Sequence, residues 1–219
     1  MDETIDRPLI AGAFAVAARE GWGAVTVAAA AREGGVALDA ARLRCPTRET
    51  ILLRLGRELD AAALADATEE GTPRERLFDL LIRRFDAMQP YRAGLSALFR
   101  SLPARPGTAL LLGAATTVSM AWMLEAAGIP TAGLAGALRV QGLVAVWVST
   151  ARTWERDTSP DLSATMAALD RALDRAERLA PWLDANGGRG KPGGDEAAVA
   201  PKPFPDVPEP GTPAPEQAA

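Results

Sequence analysis

Histidine is absent from the 219-residue chain. Its absence removes His-based metal sites, Ser-His and Cys-His nucleophile pairs and the commonest general base, so a non-enzymatic protein without metal or cofactor is expected. A single cysteine, Cys45, cannot close an internal disulfide. The acidic start "MDETIDRPLI" lacks the basic-then-apolar order of a signal peptide, and together these point to a reduced, cytoplasmic protein. A basic excess is missing too: the formal net charge is -4, which gives no general attraction to nucleic acid, although a small basic face can sit within an acidic total. No segment carries convincing strand patterning. What remains is a globular balance, 48% hydrophobic and 24% charged, able to build a sizeable all-α core.

Between Arg7 and Glu20 the residues Leu9, Ile10, Ala13, Phe14, Ala17 and Ala18 form the stripe of an amphipathic helix ended by Gly21. Thr26 suits the N-cap of a short second helix reaching Glu33, Gly34-Gly35 supplies a turn, and Ala37 to Arg44 reads as a third helix stopped by Pro46. From Thr47 a longer helix carries Ile51, Leu52, Leu55, Leu59 and Ala62 and fades in "DATEEG". "TPRE" at Thr72 to Glu75 then has the form of a capping box with proline at the first helical position. The helix it opens buries Leu77, Phe78, Leu81, Ile82 and Phe85, and another follows around Leu95, Leu98 and Phe99.

Two strongly apolar segments come next, "TALLLGAATTVSMAWMLEAAG" and "LAGALRVQGLVAVWVSTARTW". Each is long enough to span a membrane. Thr116, Thr117, Ser119, Arg139 and Gln141 interrupt them and basic flanks are poor, so helices buried all round in a bundle are expected instead. Arg139 and Gln141 then need a partner such as Glu125 or a ligand head group, or a position at the helix surface, with an ion pair or surface position favoured over a ligand contact.

"DTSPDLSATM" reads as the start of a last helix, with Ser159 as cap, Pro160 at the first position and Asp161 at the positive end of the dipole. Leu162, Met166, Leu169, Leu173, Ala176, Ala180 and Leu183 make a stripe that wants another helix, in this chain or in a second copy. Beyond Asp184 the Pro, Gly and Ala-rich tail has too few large apolar residues to repay the entropy of folding, and disorder is expected. The expected division is residues 1–57 as a helix-turn-helix unit, 58–184 as a helical ligand-binding and dimerising domain, and 185–219 as tail.

The line "LIAGAFAVAAREGWGAVTVAAAAREGGV" and the helical layout behind it resemble the tetracycline-repressor (TetR) family over Arg7 to about Leu183. The resemblance implies an all-α, TetR-like fold of about nine helices and a homodimer. The third helix departs from it. DNA-binding members carry early polar residues and an aromatic-rich stretch ending in Phe-Pro, where this chain has "ALDAARLRCP". Asp39 turns a carboxylate toward phosphates, and acids and bases nearly cancel from Met1 to Arg57.

The back half, "MAWMLEAAG" and "ALRVQGLVAVWVSTARTWERDTSPDLSATMAALDRAL", is similar to the lipid-binding accessory protein of ubiquinone (coenzyme Q) biosynthesis, a family that uses the TetR fold without acting as a repressor. The match rests on Asp157 to Asp161, Thr165, Leu169, Trp147, Thr150 and Arg139. It fails at Gly136 and Ala137, where eukaryotic members have an aromatic pair, and at the tail, where they have a membrane-touching helix.

That resemblance implies a protein that holds an isoprenoid or ubiquinone precursor among Met120, Trp122, Met123, Leu143 and Trp147 and presents it to a hydroxylase. Arg139, Trp154 and Asp157 would form the partner surface, with peripheral membrane contact at the inner face. The same five apolar residues serve equally as plain core. The alternative is a dimeric, ligand-responsive repressor in which Thr26, Arg42, Arg44 and Arg48 meet DNA phosphates and the last two helices form the dimer interface. A third reading is an interaction protein with a filled core.

Overall fold

The computed structural model describes residues 3–65 and 67–187, with side chains on the last helix described to Arg178. That helix, Ser163–Gly187, runs three residues into the expected tail, 185–219; the rest of that tail, and the side chains of the inward positions Ala180 and Leu183, lie outside what is described. Among the described residues every regular element is helical: α1 (Glu3–Glu20), α2 (Val27–Glu33), α3 (Leu38–Arg44), α4 (Arg48–Leu64), α5 (Pro73–Met88), α6 (Arg92–Ser101), α7 (Pro106–Ala126), α8 (Gly133–Arg156) and α9 (Ser163–Gly187).

The helix starts follow their caps. Thr26 Oγ1 accepts from Ala29 N at 3.0 Å and Thr47 Oγ1 from Thr50 N at 3.3 Å, so α2 and α4 open where their threonines satisfy an orphan amide. At α5 the capping box closes in both directions: Thr72 N donates to Glu75 Oε2 at 2.7 Å and Glu75 N to Thr72 Oγ1 at 3.2 Å.

One continuous core joins the front helices to the rest, because α1 packs on α2 with one face and on α4 and α6 with others. The approach is close on both sides. A Cβ added at Gly12 would sit 2.3 Å from the Ala30 carbonyl oxygen, and one at Gly94 would sit 2.4 Å from that of Phe14. Only glycine lets these backbones touch.

α1 begins four residues earlier than its apolar stripe suggests and runs through Pro8. The added turn carries Asp6 into the interior, where it is 2% exposed. α9 begins later than expected, at Ser163, and Ser159 caps nothing. Asp157 does that work: Oδ2 accepts from Thr165 N at 2.8 Å and Thr165 Oγ1 at 2.6 Å, while Oδ1 accepts from Ser159 N and its hydroxyl. A carboxylate with two free oxygens satisfies both the corner and the helix start, which a serine hydroxyl cannot. The turn passes through Leu162 at φ 55, a strained value for a leucine, held by burial of its side chain at 2% exposure.

α7 and α8 have mean hydropathies of 1.4 and 1.3 over their most apolar windows, long and apolar enough to cross a membrane by length and composition. The expectation that they are buried all round fails. Each buries one face, with Met120, Met123 and Leu124 on α7 and Leu143, Val146 and Trp147 on α8, and each leaves the opposite face outward. Leu110, Val118 and Trp122 on α7 and Leu134 and Leu138 on α8 are exposed.

Candidate functional site

A cavity of about 500 Å³ lies among α4, α5, α6, α7 and α8. α4 lines it with Leu52, Leu55, Gly56 and Leu59, α7 with Ala109, Leu112, Gly113 and Thr116, and α8 with Val144, Trp147 and Val148. These positions repeat every three to four residues on each helix, so the inward stripe of an amphipathic helix becomes a wall. Small residues make the room: Gly56, Ala109 and Gly113 stand where bulky ones would fill the space, and a Cβ at Gly56 or Gly113 would meet nothing within 4 Å. The volume falls in the range of small-molecule sites.

The floor holds a closed polar group. Arg84, 6% exposed, donates to Asp60 Oδ1 at 2.8 Å and to Ser119 Oγ at 3.3 Å, and Ser119 donates to Asp60 Oδ2 at 2.5 Å. Its guanidinium lies 4.6 Å over the Trp147 ring, which stacks on Phe85 with centroids 4.2 Å apart. Charge and counter-charge are thus matched at the buried end. The rim carries Arg100, Arg152 and Glu155.

Of the five residues expected to hold a lipid, only Trp147 lines this cavity. Met120, Met123 and Leu143 lie in closed core, because the cavity face of α7 continues past Thr116 into packed interior. Trp122, 58% exposed, is on the far side of α7. The expected partner surface is not a surface at two of its three positions: Trp154 is 0% exposed and Asp157 5%. Trp154 sits under Arg92, whose guanidinium lies 4.7 Å over its ring and donates to the Asp157 carbonyl. Arg139 donates to the Pro130 carbonyl at 3.1 Å, tying α8 to the turn before it, and Glu125 accepts from Thr131. Gly136 is there for that turn: a Cβ would stand 2.0 Å from the Thr131 carbonyl. Burial of the Cys45 thiol pushes its pKa up, consistent with inert filler.

On the helix-turn-helix face, three of the four candidate phosphate contacts have structural tasks. Thr26 caps α2, as above. Arg44 turns inward to Asp6, and Arg48 pairs with Glu49 at 2.9 Å. Arg42 donates to the Pro46 carbonyl at 2.8 Å yet stays exposed. The outward face of α3 presents Leu38, Asp39, Arg42 and Leu43, the last 87% exposed. Asp6, Arg44 and Arg54 form a cluster missed in the sequence, since its members lie 38 and 48 residues apart.

No family model matches the chain, and no curated protein does. Solved structures do. A TetR transcriptional regulator from Nitrosomonas europaea ATCC 19718 superposes with a TM-score of 0.64 at 22% identity, over 80% of this chain and 98% of that one. A tetR-family transcriptional regulator from Streptomyces coelicolor gives 0.57 at 19% identity, over 88% and 93%. One from Rhodococcus sp. RHA1 gives 0.53 at 16%, over 80% and 97%. At these identities the likeness is one of architecture, and the chain has the all-α, TetR-like fold.

Proposed function

We propose that the chain is a dimeric, ligand-responsive regulator in which an apolar small molecule in the α4–α8 cavity alters how α3 is presented to DNA. The observation that carries this is the double role of α4. Leu52, Leu55 and Leu59 line the cavity, and Arg54 on the same helix donates to the Arg44 carbonyl at the end of α3 at 3.0 Å. A ligand that moves α4 moves the end of α3 with it. The structural neighbours from Nitrosomonas europaea and Streptomyces coelicolor, both transcriptional regulators, support the same reading.

The second copy belongs on the outward faces of α7 and α8. These helices have 21 and 24 residues, so side by side they offer about 650–700 Å², close to the ~800 Å² each partner buries in a standard interface. α9 is the poorer surface, because its outer positions carry Asp170, Arg171, Arg175 and Arg178.

A second reading is favoured by α3 itself. With Leu38, Asp39 and Leu43 outward and Arg44 engaged, the helix is short of groups that read bases or grip phosphate. On that reading the protein is a lipid carrier of the ubiquinone-pathway kind, presenting an isoprenoid to a hydroxylase or at a membrane. One experiment separates the two. The purified full chain is titrated onto labelled DNA from upstream of its own gene at 50 and 200 mM salt, and the same preparation is extracted for lipid. Saturable binding that weakens with salt supports the regulator; no binding at either salt, with an isoprenoid in the extract, establishes the carrier.

A further inference from the structure

The cavity's two ends differ in a way that specifies a ligand. Its buried end is electrically closed, with Arg84 held by Asp60 and Ser119 and covered by Trp147. An uncharged tail can rest there at no cost in unpaired charge. Its walls are aliphatic and aromatic along α4, α6 and α7, with Leu59, Leu95, Phe99 and Leu112 contributing. The rim is different. Arg100 and Arg152 stand at the opening with a single carboxylate, Glu155, 3.9 Å from Arg100. Among the described residues no hydrogen bond or ion pair takes up Arg152. The opening therefore carries one uncompensated positive charge above an apolar shaft.

From this asymmetry, and resting on the ligand-responsive reading above, we propose that the occupant is a long-chain carboxylate: an apolar tail filling the shaft between α4 and α7, with its carboxylate at the rim on Arg152, assisted by Arg100. A neutral lipid leaves the Arg152 charge unused, and a cationic amphiphile meets it with like charge. Arg152 and Arg100 act here as specificity determinants. Most of the binding free energy comes from the tail, and the choice of head group comes from the rim.

The test compares three probes of equal chain length, hexadecanoate, hexadecanol and hexadecyltrimethylammonium, each radiolabelled and kept below its solubility or micelle-forming limit, by equilibrium dialysis against the full-length protein. Hexadecanoate is expected to bind about fivefold more tightly than hexadecanol, with the cation weakest, as fits a charge-assisted contact at a partly solvated rim. Arg152→Glu is expected to abolish or reverse that order while hexadecanol affinity stays within about twofold. Because Arg100 and Arg152 are exposed, circular dichroism melts of Arg152→Glu and of the milder Arg152→Gln will report intact folding. Equal affinity for the acid and the alcohol, or a preference that survives both variants, overturns the proposal and leaves the cavity as a neutral-ligand site. If none of the three binds, the ligand-responsive reading falls along with it.

Discussion

Arg44 donates from Nε and Nη2 to the two carboxylate oxygens of Asp6, both at 2.8 Å, and so fastens the end of α3 to the first turn of α1. Arg54 completes the group from α4 with a 2.9 Å contact to the same carboxylate. Hydrogen bonding from Arg44 lowers the Asp6 pKa; burial opposes this, and the charges of Arg54 and Arg44 add to the lowering. Asp6→Asn leaves two part-buried guanidinium groups without their counter-charge, and a loss of about 2–3 kcal/mol is expected. Urea unfolding measures the loss. Hydrogen exchange should show it first in residues 38–46, because α3 has seven residues and little else to hold it.

Asp157 gives the fold an acid-sensitive corner. Burial pushes its carboxyl up, but hydrogen bonds from Ser159 and Thr165, through side chains and backbone amides, outweigh that and hold it far below the usual range. A folded pKa below the unfolded value of ~3.9 contributes stability that is complete well above pH 4 and is lost as pH falls below it. Unfolding free energies at pH 7, 5, 4 and 3 are expected to stay level down to about pH 5 and then drop. Asp157→Asn should cost about 2 kcal/mol at pH 7 and flatten part of the acid limb, the rest being shared by Asp6, Glu33, Glu49 and Glu75, whose carboxyls are also lowered. An unchanged acid limb would remove Asp157 from this role.

The difference between these carboxylates and the caps shows what the sequence makes legible. Thr26, Thr47 and the Thr72–Glu75 box act within three residues, so a local pattern announces them. The stripes of α1, α4 and α5 were likewise readable, apart from Ala18 and Ala62, which are exposed, and with them the all-α fold. Asp6 and Asp157 act on partners 48 and 8 residues away, through contacts that exist only once α1 meets α4, or once α8 turns into α9. Asp157 was expected on a partner surface, beside the more obvious Ser159-Pro160 helix start. The cavity was misplaced for a related reason. Periodicity identifies the inward face of α7, but its largest inward side chains, Met120 and Met123, lie where that face is closed by packing. Open space lies a turn or more earlier, beside Ala109 and Gly113, where small residues leave a gap that composition alone does not advertise.

If the outward faces of α7 and α8 meet a second copy, a single charge placed there should break the assembly. Val118 and Leu138 are 61% and 40% exposed, so Val118→Glu and Leu138→Glu impose no strain on the isolated chain. In the dimer each buries a carboxylate close to its own symmetry mate. Sedimentation equilibrium should report a dimer for the unaltered protein and a shift of at least about tenfold toward monomer for either variant. A monomeric parent protein that co-sediments with anionic lipid vesicles, and loses that affinity in both variants, would assign the same face to a membrane.

Gly56 allows the cavity to be tested without touching its charges. It lies within α4, lines the cavity, and has no atom within 4 Å of where a Cβ would stand. Glycine inside a helix costs ~1 kcal/mol relative to alanine, so Gly56→Ala is expected to stabilise the fold by about 0.5–1 kcal/mol, read as a higher midpoint in urea. Gly56→Leu adds a side chain that projects into the same space and competes with any ligand for it. Its stability should match or exceed that of the natural protein, while binding of an apolar ligand falls by at least about tenfold. The opposite outcome, full ligand affinity in a stable Gly56→Leu protein, would mean that ligand enters by some route other than the wall of α4. In that case the link from cavity to α3 through Arg54 would lose its first step.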